Sequence, residues 1–586
     1  MEGQVQGSRF GDREFYTTLG LRCGIEMHRQ LHTDHKLFCR CPVRPYSQEY
    51  HAEILRHMRP TLSELGEYDP TALMEFKTRK EIVYRLNRDT VCTYEMDDAP
   101  PFGLNRDALH RGLVIARMLN LNLVDEVHIA RKQYLDGSIP TGFQRTCILG
   151  VNGWIRVEGR RIGIRQLGLE EDACREVSDH GHRRTYLTDR LSIPLIEIVT
   201  EAEMHTPWEA FQVGSAIRRL CHLSGQVRTG HGRARQDVNV SIRGGDRVEI
   251  KGVSTLRLIP ALVHYEALRQ KALLDLRDAL KARGVVPADF SEDRDVTALA
   301  RRFVHPALRG PWTGGVVARA ILLRKCSGFL SRPLAPGRTF ASEVSDRVRV
   351  IACLDRMPNL AHSDDPEAFS LSPLFDQVRQ AFEAGAPDAV VIVAGPAQDV
   401  QTAIGEVRLR LTEALVGVPR ETRKSLPDGT TCFERMLPGP DRMYPDTDLP
   451  PIVLGQEDHR RAREETPEPN WDKEDRWIGM GCSREQAYRL LTEDAWPAFE
   501  ALVDQVAVRP SVLAWLLLDW IPGLRRRGAS IEGLTVDRLR EVLSVPEGVP
   551  QLRQKDAAGR VGLAVGRPPR FLQKPDPRKD QPEPTR

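Results

Sequence analysis

Residues 235–253 read RQDVNVSIRGGDRVEIKGV, a segment that leaves the backbone little choice. Val238, Val240 and Ile242 alternate with Arg235, Asp237, Asn239 and Ser241. Beyond Gly244-Gly245-Asp246, Val248 and Ile250 alternate with Arg247, Glu249 and Lys251. A period of two marks a strand with one buried face, and a glycine-rich break between two such runs closes a hairpin. The apolar face needs a core against it. The polar face is either a solvated outer surface or a ligand platform. Its mixture of Arg, Lys, Asp and Asn is what a nucleotide phosphate and its metal need, because anionic oxygens require cations and Mg²⁺ requires oxygen donors.

The stretch GLRCGIEMHRQL (20–31) alternates in the same way, with Leu21, Cys23, Ile25 and Met27 on one side and Arg22, Gly24, Glu26, His28 and Gln30 on the other. It sets a carboxylate beside an imidazole on a polar face. Two acidic segments could meet them: LGLEEDA supplies Glu170, Glu171 and Asp172, and SIPLIEIVTEAE carries Glu197 inside an almost wholly apolar run. A carboxylate in such a run is costly unless a cation or hydrogen bonds satisfy it, so either a metal or an arginine is implied. In KLFCRCP (36–42), Cys39 and Cys41 form a C-x-C with no C-x-x-C to complete four ligands, and His35 and Cys92 are the candidate additions. That pattern reads as a turn before Pro42 rather than a zinc site.

A chain of 586 residues exceeds what one core supports, so three or four domains are expected. The balance of 84 basic and 81 acidic side chains excludes a general polycation, and any nucleic-acid contact must be local. The N-terminal segment lacks an apolar core, and VLAWLLLDWI (512–521) is too short, and charged at Asp519, to span a bilayer. A soluble, cytoplasmic protein without membrane contact is expected, its eleven cysteines reduced.

The first half reads as α+β with mostly antiparallel pairing: strands at 90–98, 153–159 and 161–172, and an amphipathic helix at 107–121. Residues 256–284 form a helix ending in Arg-Gly. A second unit is inserted near 286–415, with strands at 316–323 and 388–395 and a helix at 397–415. Residues from about 468 are mainly helical, and the last twenty, charged and Pro-rich, read as disordered.

The segments GLRCGIEMHRQL, KLFCRCP, SELGEYDP, DGSIPTGFQRT, LEEDA, DRLSIPLIEIVTE, the hairpin and GVPRETRKSLPDGTTCFERMLPGPDRMYPDTDLPPI occur in this order between about residues 19 and 455. Together they resemble the E subunit of the archaeal-type glutamyl-tRNA(Gln) amidotransferase, a relative of the B subunit of the bacterial enzyme. The resemblance implies an antiparallel-sheet catalytic cradle over 1–285, and an α+β insertion over 286–415 like that of bacterial-type aspartyl-tRNA synthetases. It further implies a return to the cradle over 416–460, a helical tRNA-contacting domain over 468–560 and a disordered tail over 561–586.

In function, the resemblance implies ATP-dependent amidation of Glu-tRNA(Gln) through a γ-glutamyl phosphate. An asparaginase-like D subunit would supply ammonia, in a heterotetramer of two D and two E subunits. By motif, the metal would be held by His28, Glu170 and Glu197, with Glu26 beside them as a further ligand or a base. The ion would be Mg²⁺, with Mn²⁺ as the alternative. Arg235 and Lys251 would steady the transferring phosphoryl group, and Asp237 and Asn239 would position nucleotide or a second metal. Two rival readings remain: a ligase amidating a carboxylate not carried on tRNA, and a non-catalytic tRNA-binding relative. The chain departs from the family at VRTGHGRARQD, which brings His231 and Arg233 into a loop near the substrate, and in the short segment after EGLTVDRLREVLSVPEG.

Overall fold

The computed structural model describes residues 10–62, 66–308, 312, 315–366, 368–439, 442–545 and 551–565. They fall into two compact units, residues 1–466 and 467–586.

The first unit is organised by a mixed sheet of eleven strands. Ten of them are β1 (Arg22–Gln30), β2 (Ile129–Gln133), β3 (Phe143–Val157), β4 (Arg160–Glu171), β5 (Pro194–Thr200), β6 (Ala234–Ser241), β7 (Val248–Val253), β8 (Glu421–Ser425), β9 (Thr431–Met436) and β10 (Met443–Pro445). They run β9-β8-β7-β6-β1-β5-β4-β3-β2-β10, and Asn122–Leu123 pairs with β3 off this path. The strand that begins with Arg22 therefore sits at the centre, between β5 and β6. All these pairs are antiparallel except β7 with β8, which are parallel. Residues 254–420 separate those two strands, a crossover that a hairpin turn cannot make.

The apolar face of β1 is covered by helices. Cys23, Ile25 and Met27 are at most 1% exposed, as are Ile196, Ile198, Val238 and Val240 from the neighbouring strands. Helix α1 (Arg106–Met118) starts at Asn105, whose side chain accepts from the Asp107 and Ala108 amides. Helix α2 (Pro207–Leu223) starts at Thr206, which caps the Glu209 amide, with proline in the first turn where its missing N–H costs nothing. A Cβ built on Gly214 of α2 would come within 3.0 Å of Leu256 Cδ2 and 3.4 Å of Ile25 Cδ1, so the absence of a side chain lets α2 press onto β1. Helix α3 (Ile259–Ala282) follows β7.

The expected strand at 90–98 is instead a series of turns. Tyr94, Glu95 and Met96 are all buried, where a half-buried strand would alternate, and Asp97 takes a left-handed φ of 62°. Glu95 is held by Lys36 at 2.7 Å and Tyr94 by Glu171 at 2.7 Å. These buried polar contacts override the local β pattern.

Within 286–415, Asp293–Asp295, Val316–Leu323, Ala389–Pro396 and Leu360–His362 form a four-stranded sheet. Ile321, Leu323, Val391 and Val393 face α4 (Phe340–Ile351), α5 (Ala397–Ala414) and Leu273, Leu276 and Leu280 of α3. Ala320, Leu322, Val390 and Ile392 face Leu374, Phe375 and Val378 on the other side. A strand covered on both faces reads as an unbroken apolar run, which is why AVVIVAG lacks alternation.

A buried ionic cluster joins this layer to the main sheet. Arg269 of α3 bonds Glu343 of α4 through Nε and NH2, both at 2.8 Å, and Glu421 of β8 at 2.6 Å. Arg423 reaches Glu343 at 2.8 Å.

The second unit is helical: Asn470–Gly479, Arg484–Thr492, Trp496–Leu502, a run over 510–526 with a π-helical middle, Val536–Leu543 and Gln554–Ala564. Trp477 packs edge-on against Phe499 at 5.5 Å. Of the disordered tail expected over 561–586, residues 561–564 finish a helix, and 566–586 lie outside the described residues. Among the described residues no helix is long and apolar enough to cross a membrane.

Candidate functional site

The register of the central strands gathers the polar side chains on one face. His28 of β1 lies opposite Glu197 of β5 and Arg235 of β6, and Glu26 lies opposite Asp237. Glu197 in turn faces Gly168 of β4, two residues before Glu170. Directly opposed residues in a ladder project to the same side, so three strands deliver one imidazole and two carboxylates to one place.

The structure brings His28, Glu170 and Glu197 together. Their nearest ligand atoms lie within 4.8 Å of one another. His28 Nε2 is 3.3 Å from Glu197 Oε1 and 3.7 Å from Glu170 Oε1. Lys132 of β2 holds the outer oxygens, donating to Glu170 Oε2 at 2.9 Å and lying 3.5 Å from Glu197 Oε2. The inner oxygens are thereby left facing the ring nitrogen. His28 Nδ1 is buried without a hydrogen-bond partner, so the ring's polar contacts run through Nε2 toward the acids. One nitrogen and two anionic oxygens, turned inward by a lysine behind them, fit a divalent cation. Burial alone would raise Glu197, but Lys132 and His28 outweigh it and hold the carboxyl well below its ordinary range. Burial, the largest effect, would lower His28, but the hydrogen bond to Glu197 and the charges of Asp237 and Glu197 together raise it.

A second acidic group stands beside the first: Glu26, Asp237 and Glu249 also place ligand atoms within 4.8 Å of one another. Asn239 donates to Glu26 at 2.9 Å, and Lys251 donates to Asp237 at 3.1 Å and Glu249 at 2.7 Å. Burial, then the charges of Glu249 and Glu197, push Glu26 up to about 7. Asp237 goes the other way: despite burial, Lys251, His28 and the Gly252 amide lower it to about 2. Lys251 is thus paired with acids rather than free.

Arg235 turns away from this group and donates to Asp172 at 2.8 Å. Asp172 is 1% exposed and also accepts from Gln30 at 2.7 Å. Gln30 continues the chain, donating to the Tyr46 hydroxyl at 2.9 Å and accepting from Arg233 at 3.1 Å. The Arg233 guanidinium lies 3.9 Å over the Tyr46 ring, and Tyr46 donates to the Gly232 carbonyl at 3.1 Å. Gly230 and Gly232 take φ of 107° and 73°, a left-handed turn that side chains disfavour. The departing loop TGHGR is therefore tied to the polar face through Gln30. Around it opens a cavity of ≈ 540 Å³, lined by His28, Asp172 and five arginines: Arg29, Arg190, Arg218, Arg233 and Arg235.

A larger cavity of ≈ 600 Å³, lined by Tyr68, Phe76, Arg79 and Lys80 among others, lies elsewhere and contains none of these groups. Four donors also converge at the C-x-C segment. Cys39, Cys41, Cys92 and Glu95 lie within 4.8 Å of one another, and Glu95 Oε2 is buried without a hydrogen-bond partner. His35 is not among them. The fourth donor of this group is Glu95, three residues after Cys92.

Lys132, Gln30, Asp172, Glu249 and Glu95 all join these clusters without having been assigned a role from sequence. Nothing in IARKQ distinguishes Lys132 from Arg131, whereas Glu249 already stands on the hairpin's polar face and Gln30 on that of β1.

A family model described as the GatB/GatE catalytic domain matches residues 21–460. The glutamyl-tRNA(Gln) amidotransferase E subunit of Methanopyrus kandleri is 39% identical over 532 residues, covering 90% of this chain and 82% of that protein. The corresponding E subunits of Saccharolobus solfataricus and Sulfolobus acidocaldarius are each 38% identical over 536 residues, covering 90% of this chain and 84% of theirs. The strand, hairpin and acidic segments that build the site lie inside the matched span, and the chain belongs to the GatB/GatE catalytic-domain family, among its amidotransferase E subunits.

Proposed function

We propose that the chain catalyses ATP-dependent amidation of glutamate carried on tRNA(Gln). The observation that carries this reading is the inward-facing triangle of His28 Nε2, Glu170 Oε1 and Glu197 Oε1 beside an arginine-lined cavity. A free carboxylate is a poor acceptor for an amine. Transfer of the γ-phosphoryl group to a side-chain carboxylate oxygen releases ADP and makes an acyl phosphate. Ammonia then adds to the carbonyl carbon, phosphate leaves with the C–O bonding pair, and a proton is lost to give the amide. His28, Glu170 and Glu197 would hold a Mg²⁺ or Mn²⁺ ion, which neutralises phosphate charge when bound. Lys132 keeps the two carboxylates turned inward, and the basic lining of the cavity favours an anionic substrate.

The relatives are named as subunits of an enzyme acting on glutamyl-tRNA(Gln), which supports a tRNA-borne substrate and an assembly with further subunits. We take the ammonia-supplying partner to be an asparaginase-like D subunit, in a tetramer of two D and two E chains. Residues 286–415 then correspond to the insertion seen in bacterial-type aspartyl-tRNA synthetases, and the helical unit from 467 to a tRNA contact.

Hydroxylamine traps acyl phosphates as hydroxamates. With ATP, Mg²⁺ and Glu-tRNA(Gln), a hydroxamate on the glutamyl side chain is expected; ATP consumption without hydroxamate would exclude the activated intermediate. The thiol cluster offers a separate check. Cysteine sulfur and carboxylate oxygen are both zinc ligands, and four such donors are the number a tetrahedral site needs. Elemental analysis should find about one zinc per chain there, lost on Cys41→Ser; metal-free protein purified without chelator would return the segment to a plain turn.

A further inference from the structure

Four of the five arginines around the cavity have an evident place. Arg235 is paired with Asp172, and Arg190 donates to the Ala173 and Cys174 carbonyls at 2.8 Å each. Arg233 stacks on Tyr46, and Arg218 is exposed. Arg29 differs. It is 4% exposed, and among the described residues no carboxylate pairs with it. Its NH2 lies 3.1 Å from His222 Nε2 and its Nε is buried without a hydrogen-bond partner. His222 and Arg218, four residues apart on α2, line the same cavity. Burial pushes Arg29 down; Cys221 opposes this, and the charge of Arg218 adds a smaller push in the same direction as burial.

A buried guanidinium without an anion weakens a fold. Arg29 lines the cavity as His28 does, close to the end of β1, although successive residues of a strand project to opposite sides. We propose that Arg29, with His222 and Arg218, forms a phosphate subsite at the floor of this cavity. The guanidinium presents a planar fork of donors that matches phosphate oxygens, and His222 Nε2 orients that fork by accepting from its NH2. The phosphate comes either from the nucleotide or from the RNA backbone. Both sources rest on the function proposed above, the nucleotide on its ATP chemistry and the RNA on its tRNA-borne substrate.

The test is calorimetric titration of the full chain with MgATP and with pyrophosphate, alongside filter binding of tRNA(Gln), for wild type, Arg29→Met, Arg29→Lys and Arg218→Gln. Arg29→Met keeps the side chain's length and removes the charge. We expect it to melt at or above the wild-type temperature while weakening one ligand by about ten-fold or more. Arg29→Lys should recover part of that affinity, and the exposed Arg218→Gln should weaken the same ligand without affecting melting. Weakened ATP and pyrophosphate assign the subsite to the nucleotide. Weakened tRNA alone, with a shallower salt dependence, assigns it to the RNA. The subsite is refuted if Arg29→Met leaves ATP, pyrophosphate and tRNA all within two-fold of wild type, or if it lowers the melting temperature without changing any affinity. Wild-type protein that binds tRNA but no ATP would overturn the proposed function, leaving the RNA arm to decide the subsite.

Discussion

Glu197→Gln should lower ATP-dependent amidation by about 10²–10³-fold while leaving the melting curve close to wild type. Glutamine keeps the side chain's size and can still accept from His28. It loses the negative charge that, with Glu170, makes the inner triangle attractive to a divalent cation. Glu170→Gln should behave alike, and raising Mg²⁺ should restore part of the activity in either variant if the loss is one of metal affinity. Steady-state ADP release in the presence of Glu-tRNA(Gln) reads the effect. Turnover within about threefold of wild type would remove these residues from the metal site, since an ionic ligand to a catalytic cation cannot be dispensable on that scale.

The second large effect concerns stability. Glu343 is 4% exposed and receives Arg269 and Arg423, with Arg410 at 3.5 Å. Glu343→Ala would leave those guanidinium groups buried without it, and breaking such an arrangement costs about 3–5 kcal/mol. An earlier unfolding transition in urea is the expected readout. Burial by itself would raise Glu343, but Arg269, Arg423 and Arg410 hold it well below the ordinary range. A depressed carboxyl contributes stability above its unfolded value and loses it as pH falls toward its folded value. Wild type should therefore lose stability as the pH drops below about 4.5, and Glu343→Gln should lack that share of the loss. A variant as stable as wild type at pH 7 would show that the cluster is repacked rather than relied upon.

What the sequence revealed and what it hid follow from one distinction. β1 and the hairpin were legible because each has a single buried face, and alternation records that directly. The strand at 389–396 was legible for the opposite reason: buried on both sides, it is apolar throughout. Residues 90–98 misled because TVCTYEMDD has strand-like composition, yet its fold is decided by Lys36 and Glu171, which are distant in sequence. In the site, Glu26 and His28 could be paired because they share one strand. Glu170 and Glu197 needed the resemblance to a family, since no local pattern says which strands will be neighbours. Lys132 reaches the acids across β3 and β4, and Glu95 closes the thiol cluster from a turn. Register and turn geometry, set by the whole sheet, carry that information.

The most direct measurement supplies purified chain with ATP, Mg²⁺, free ammonia and tRNA(Gln) charged with radiolabelled glutamate, then identifies the labelled amino acid after deacylation. Labelled glutamine is expected, dependent on both ATP and Mg²⁺ and strongly reduced in Glu197→Gln. Tight binding of the charged tRNA with only labelled glutamate recovered, at every ATP and metal concentration, would contradict the assignment of His28, Glu170 and Glu197 to an amide-forming centre.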